Sequence, residues 1–114
     1  MSLEKIIKTL EGFGFKRIEA EVYVYLAKKG PLKPRKIAAA LKLSKQKLYP
    51  ILKSLQNKGM VTVSIQYPSL FFAVAFEKAL DMLVKADLEQ AQVIKETKKE
   101  LLLSWRSTTK RENA

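Results

Sequence analysis

The sequence predicts a mainly α domain that carries one β-hairpin and is followed by a long C-terminal helix. Three observations predict it. Apolar residues recur at helical spacing in short segments between Leu3 and Leu55. The period then switches to alternation from Val61 to Ile65. Beyond it, the run from Phe76 to Trp105 contains neither proline nor glycine, as an uninterrupted helix requires.

The first segment, Leu3 to Leu10, places Leu3, Ile6, Ile7 and Leu10 on one face. Gly12-Phe13-Gly14-Phe15 ends it, the glycines breaking the helix and the aromatics plugging the joint. Ile18 to Lys29 forms a second helix with Ile18, Val22, Tyr25 and Leu26 inward, and Gly30-Pro31 stops it. A third, short helix starts near Pro34, a comfortable first helical residue, and carries Ile37, Ala38 and Leu41 on a narrow apolar stripe. Ser44 caps a fourth helix that buries Leu48, Ile51, Leu52 and Leu55, and Gly59 fits the position just past its end. Val61, Val63 and Ile65 alternate with polar residues as one strand, Gln66-Tyr67-Pro68-Ser69 turns, and Leu70 to Ala75 returns as the second. Helices followed by a hairpin in this order make a winged helix-turn-helix over residues 1–75. The helix over 76–105 spans about 30 residues, or ~45 Å. Val84, Leu88, Ala91, Ile94, Leu101 and Trp105 draw a roughly heptad stripe along it, interrupted by Lys98. Such a stripe calls for a partner helix, most simply from a second copy, and a helix packed on its own domain is the alternative. Residues 106–114 read as a polar, frayed tail.

Charge narrows the function. The 114 residues carry a net charge of +11, with 47% hydrophobic and 29% charged residues, a globular balance. From Val22 to Phe76 there is no Asp or Glu, while ten Lys and Arg residues fall in that window. The remainder of the chain nets only +1. A merely solvated surface mixes both signs; a one-signed half suggests a field directed at a polyanion. With no cysteine and no histidine, there is no thiol or imidazole chemistry and little scope for a metal site. No glycine-rich phosphate loop is present and the central half has no carboxylate for acid–base work, so neither an enzyme nor a cofactor is expected. The absence of an apolar leader, of a membrane span and of cysteine fits a cytoplasmic protein.

The stretch Ser44 to Gly59 organises this reading. One face is apolar, and the other presents Gln46, Tyr49, Pro50, Lys53 and Asn57, with Lys45 and Lys47 beside the first turn. A solvated surface helix would look similar. A basic helix fixed to a core on one side can also enter a DNA major groove.

Read together, Leu10 to Val61 resembles the DNA-binding domain of the TrmB-like archaeal transcription regulators. The likeness rests on Glu19-Ala20 with Val22-Tyr23, Leu26, Gly30-Pro31, Ile37-Ala38, Ser44, Leu48-Tyr49, Leu52, Leu55 and Lys58-Gly59-Met60-Val61. Phe76 to Leu80 resembles the family's entry into the helix after the wing. Three features depart from the pattern. Lys16 stands where a Ser or Thr cap is usual, Tyr49-Pro50-Ile51-Leu52 is similar to PadR-type regulators, and the hairpin carries no charge between Gly59 and Phe76. Larger members carry a sugar-binding domain after the helix, which this chain is expected to lack.

The expectation is a homodimeric regulator that binds double-stranded DNA through helix 44–58. Gln46 is the candidate base reader, because its amide can pair with adenine, and Lys45 or Lys47 can reach guanine. Tyr49 and Lys53 lie farther along, with Tyr49 equally suited to the core boundary. Lys33, Arg35, Lys36 and Ser44 are candidate phosphate contacts. A dimer would set two such helices about one DNA turn apart, ~34 Å. The competing reading is a protein-binding winged helix that uses its uncharged hairpin and the Phe71-Phe72 pair as an adhesive surface.

Overall fold

The computed structural model describes residues 3–113, with side chains to residue 109. Its elements are α1 (Leu3–Gly12), α2 (Arg17–Lys29), α3 (Pro34–Leu41), α4 (Lys45–Asn57), β1 (Val61–Val63), β2 (Phe71–Ala73) and α5 (Phe76–Asn113). The chain divides into two units, residues 1–81 and residues 82–114. The first is a winged helix-turn-helix, and the second is helix.

In the first unit α2 is central. It packs against α1, α3, α4 and β2, so it is buried around most of its circumference rather than along one stripe. Ala20, Val22, Tyr23, Val24 and Leu26 are all buried. The expected inner face is corrected accordingly: Ile18 and Tyr25 are only half-buried, and Tyr23 is the core aromatic. Its hydroxyl donates to the Val74 carbonyl, which satisfies the polar tip of a buried ring and pins α2 to the chain after β2. Leu10, Ile37, Leu48, Leu52, Leu55, Met60 and Val61 complete the core. Ile51, expected in the buried set, is half-buried.

The helix ends follow from their sequences. After α1, the Phe15 amide bonds the Leu10 carbonyl at 3.2 Å and the Gly14 amide bonds Glu11 at 2.9 Å, with Gly14 at φ 99°. After α4, the Met60 amide bonds Leu55 at 2.9 Å and the Gly59 amide bonds Gln56 at 3.0 Å, with Gly59 at φ 76°. Both are Schellman stops, each using a glycine in the left-handed region and closing over an apolar pair, Leu10 with Phe15 and Leu55 with Met60. The Ser44 hydroxyl accepts from the Lys47 amide at 3.2 Å and caps α4 as expected. At α2 the Lys16 amide donates to Glu19 Oε1 at 2.8 Å. An ammonium cannot accept in return, so only half of a capping box forms. Pro50 lies inside α4, which stays continuous although the Gln46 carbonyl loses its usual amide partner.

The hairpin is shorter than the alternation implied. β1 and β2 pair antiparallel as Val61 with Ala73, Thr62 with Phe72 and Val63 with Phe71. Only Val61 and Phe71 are buried in the two strands. Ile65, expected in the first strand, is fully exposed at the hairpin tip, because pairing ends where the Ser64 amide meets the Leu70 carbonyl. Leu32 adds a one-residue bridge on the other edge, its amide and carbonyl both bonded to Phe71 at 3.1 and 2.8 Å. In the sequence Gly30-Pro31 marks only a stop, and no alternation there points to this bridge.

α5 is 38 residues long and does not stop at Trp105. The expected tail from Arg106 continues as helix through Asn113, since no glycine or proline interrupts it. The Thr108 and Thr109 hydroxyls bond back to the Ser104 and Trp105 carbonyls. Residue 114 lies outside the described residues. Ala79 is buried in the first unit. In the second, Val84, Leu88, Ala91, Ile94, Leu101 and Trp105 are all exposed.

Candidate nucleic-acid interface

The apolar residues of α4 fix which of its sides faces outward. With Leu48, Leu52 and Leu55 buried, the 100° step per residue leaves Gln46, Lys53 and Asn57 on an exposed ridge, flanked by Tyr49 and Pro50. Tyr49 is 50% exposed, a value that fits both of its expected settings, contact and the core boundary. Lys45 and Lys47 are exposed beside the first turn. Ser44 is exposed too, with its oxygen engaged as the cap and its O–H left to donate.

A shallow cleft of about 280 Å³ brings three segments together: Lys33, Pro34 and Arg35 at the start of α3, Lys45 and Tyr49 of α4, and Tyr67, Pro68 and Ser69 at the hairpin tip. Four of the nine candidate contacts, Lys33, Arg35, Lys45 and Tyr49, therefore line one depression. Gln46 and Lys53 lie on the adjoining ridge. Lys36 is exposed on α3 but does not line the cleft. In the sequence Tyr67 and Ser69 belong to the hairpin turn, and nothing there sets them beside the basic residues. Tyr67 is 96% exposed. Its setting comes from the fold, through the pairing that returns the hairpin past α3, and no local pattern marks it.

The electrostatics are one-sided. Among the described residues, Lys33, Arg35, Lys36, Lys45, Lys47 and Lys53 form no ion pair; the pairs present are those of Arg17 and Lys58. Arg17 grips Glu4 at 2.6 Å and lies within 4.0 Å of Glu11 and Glu21. Its hydrogen bonds with Glu4 hold that carboxyl below its ordinary pKa and raise the guanidinium's. Glu4, Glu11 and Glu21 are thus all engaged by Arg17. Among the described residues, Lys58 is the one member of the basic window in an ion pair. Its ammonium lies 3.3 Å from Glu19 Oε1 and 4.5 Å from the centroid of the Phe15 ring. Glu19 is buried, which by itself pushes its carboxyl up; hydrogen bonding by Ser54, the Lys16 amide and Lys58 outweighs this and holds it below the ordinary value. A second depression, of about 320 Å³, borders this pair between α4 and the α1–α2 joint.

The arrangement is an exposed ridge of amide and ammonium groups beside a cleft with a basic wall, with no carboxylate among its described lining residues. Such a surface can donate hydrogen bonds and hold anions; it has no paired groups for acid–base work.

The Phe71-Phe72 pair is not an exposed surface. Phe71 is buried and Phe72 half-buried, because both belong to the strand that covers the core. The hairpin's exposed large apolar groups are Val63 in β1 and, far more open, Ile65 and Tyr67 at its tip.

The sequence matches, over residues 10–77, the profile of the family described as Sugar-specific transcriptional regulator TrmB. It is 28% identical over 98 residues to the HTH-type sugar sensing transcriptional regulator TrmBL1 of Pyrococcus furiosus, covering 86% of this chain and 29% of that protein. Among solved structures it is similar to TrmBL2, described as an archaeal chromatin protein with a novel mode of DNA binding. The TM-score is 0.80 at 24% identity, over 91% of this chain and 40% of that one. A possible transcriptional regulator from Methanosarcina mazei Go1 aligns with a TM-score of 0.66 at 15% identity, over 88% of each chain. A transcriptional regulator from Thermotoga maritima aligns at 0.57 and 16%, over 94% of this chain and 84% of that one. At these identities the structural likeness is one of fold. The chain spans less than a third of TrmBL1 and two-fifths of the TrmBL2 chain.

Proposed function

Because the chain belongs to the TrmB family of transcriptional regulators, we propose that it binds duplex DNA as a homodimer, with α4 entering the major groove. The observation that carries this reading is the exposed Gln46–Lys53 ridge beside a cleft lined by Lys33, Arg35 and Lys45, in a half of the chain free of acidic residues. Gln46 reads a base edge, Lys45 and Lys47 reach guanine, and Tyr49 and Lys53 follow the groove. Lys33, Arg35, Lys36 and the Ser44 hydroxyl hold phosphates. Val84, Leu88, Ala91, Ile94, Leu101 and Trp105 of α5 supply the dimer contact, their exposure along one helix supporting a partner there. Selection of bound sequences from a random duplex pool tests the division of labour. Gln46→Ala changes the selected sequence, while Arg35→Ala weakens binding to every sequence alike. Equal losses on all probes for both variants would refute it.

The exposed Ile65 and Tyr67 favour one second reading, a hairpin tip that docks on another protein. Ile65→Ser with Tyr67→Ser would then abolish that association and leave DNA affinity unchanged.

A further inference from the structure

The apolar line of α5 contains two charged residues. Val84, Ala91, Ile94, Leu101 and Trp105 follow one another at heptad spacing, and the same spacing puts Asp87 and Lys98 in line with them. All seven are exposed, and among the described residues neither Asp87 nor Lys98 forms an ion pair. On a seam between helices each of these charges needs an opposite.

Two copies side by side in parallel give it none, since Asp87 would face Asp87 and Lys98 would face Lys98. Antiparallel pairing offers registers one heptad apart. In the register centred between Gln92 and Val93, Val84 of one copy faces Leu101 of the other, Ala91 faces Ile94, and Asp87 faces Lys98. Two-fold symmetry makes each layer occur twice. A slip of one heptad sets Lys98 against Leu80 or Ile94, and Asp87 against Ala91 or Trp105, so both charges lose their partners. One register alone joins apolar to apolar and acid to base.

We propose that α5 associates with a second copy of this chain in that antiparallel register, and that the two Asp87–Lys98 layers select its direction. This rests on the dimeric reading above and adds orientation and register to it. A polar residue on a seam costs affinity and restricts the alternatives, which is the role assigned to this pair.

The test uses the full chain. It has no cysteine, so Ser104→Cys provides a single attachment point for a nitroxide. The proposed register separates the two labels by about 35 Å along the helix axis, given a rise of about 1.5 Å per residue; a parallel pair brings them within about 10–15 Å. Independently, Lys98→Glu turns two attractions into two repulsions and weakens the dimer about tenfold in sedimentation equilibrium, as does Asp87→Lys. The double variant restores the original affinity. A short label distance, or a double variant that stays weak, overturns the register and leaves the dimer standing. A chain that remains monomeric at about 100 μM overturns the register together with the dimeric reading.

Discussion

At the scale of single residues, Glu19 shows how the molecule separates structural from outward-facing charge. It is 5% exposed, takes the Lys16 amide at the start of α2, and meets Lys58 from the end of α4. Lys58 is thereby withdrawn from the outward field and fastens α4 to α2. Glu19→Gln removes the charge while keeping the shape, and a loss of about 1–3 kcal/mol at pH 7 is expected in urea unfolding, since the charge-assisted partners are left poorly matched. The carboxyl is held below its ordinary value in the folded state. Its contribution is therefore complete above the unfolded-state value near 4.5 and is lost as pH falls through the lowered one. The deficit of the variant should shrink below about pH 4; a deficit unchanged from pH 7 to pH 3 would show that the carboxylate's charge is not what stabilises. Sequence reading named Glu19 only through its place in the family pattern. Its ammonium partner, Lys58, lies 39 residues away, and no local spacing encodes that.

At the scale of elements, α3, α4 and α5 were legible because each carries one apolar stripe and, for α3 and α4, a recognisable start. The same rule failed on α2, where neighbours on several sides leave no single stripe to find, and on the first strand, where alternation continued past the last paired residue. The turn between α3 and α4 holds another feature that spacing does not reveal. Lys42 has φ 56° and ψ 44°, and the Leu43 amide reaches back to the Ala38 carbonyl at 2.9 Å. This is the position at which α1 and α4 use glycine. A β-carbon in the left-handed region costs on the order of 1 kcal/mol. Lys42→Gly should therefore raise stability by about 0.5–1 kcal/mol, visible as a melting temperature higher by a few degrees. An unchanged or lower melting temperature would show that the lysine side chain returns what its backbone loses.

At the scale of the whole chain, charge was the most legible property, since it needs only counting: ten basic residues and no acids between Val22 and Phe76. The fold adds selection, engaging Lys58 internally and leaving Lys33, Arg35, Lys36, Lys45, Lys47 and Lys53 exposed. If six or more of these contacts release counterions from DNA, affinity should fall about 10³-fold or more between 50 and 200 mM salt. A titration by fluorescence anisotropy checks this, and a loss below about tenfold would count against phosphate binding as the main source of affinity. The bridge at Leu32 has a further consequence for that surface. It joins the residue just before Lys33 to Phe71, on the strand that descends from Tyr67 and Ser69. Two of the cleft's three walls, the start of α3 and the hairpin, are thus coupled by main-chain bonds rather than by side chains. The spacing of those two walls is set by backbone, which substitutions along the rim can recolour with charge or bulk but cannot readily reset.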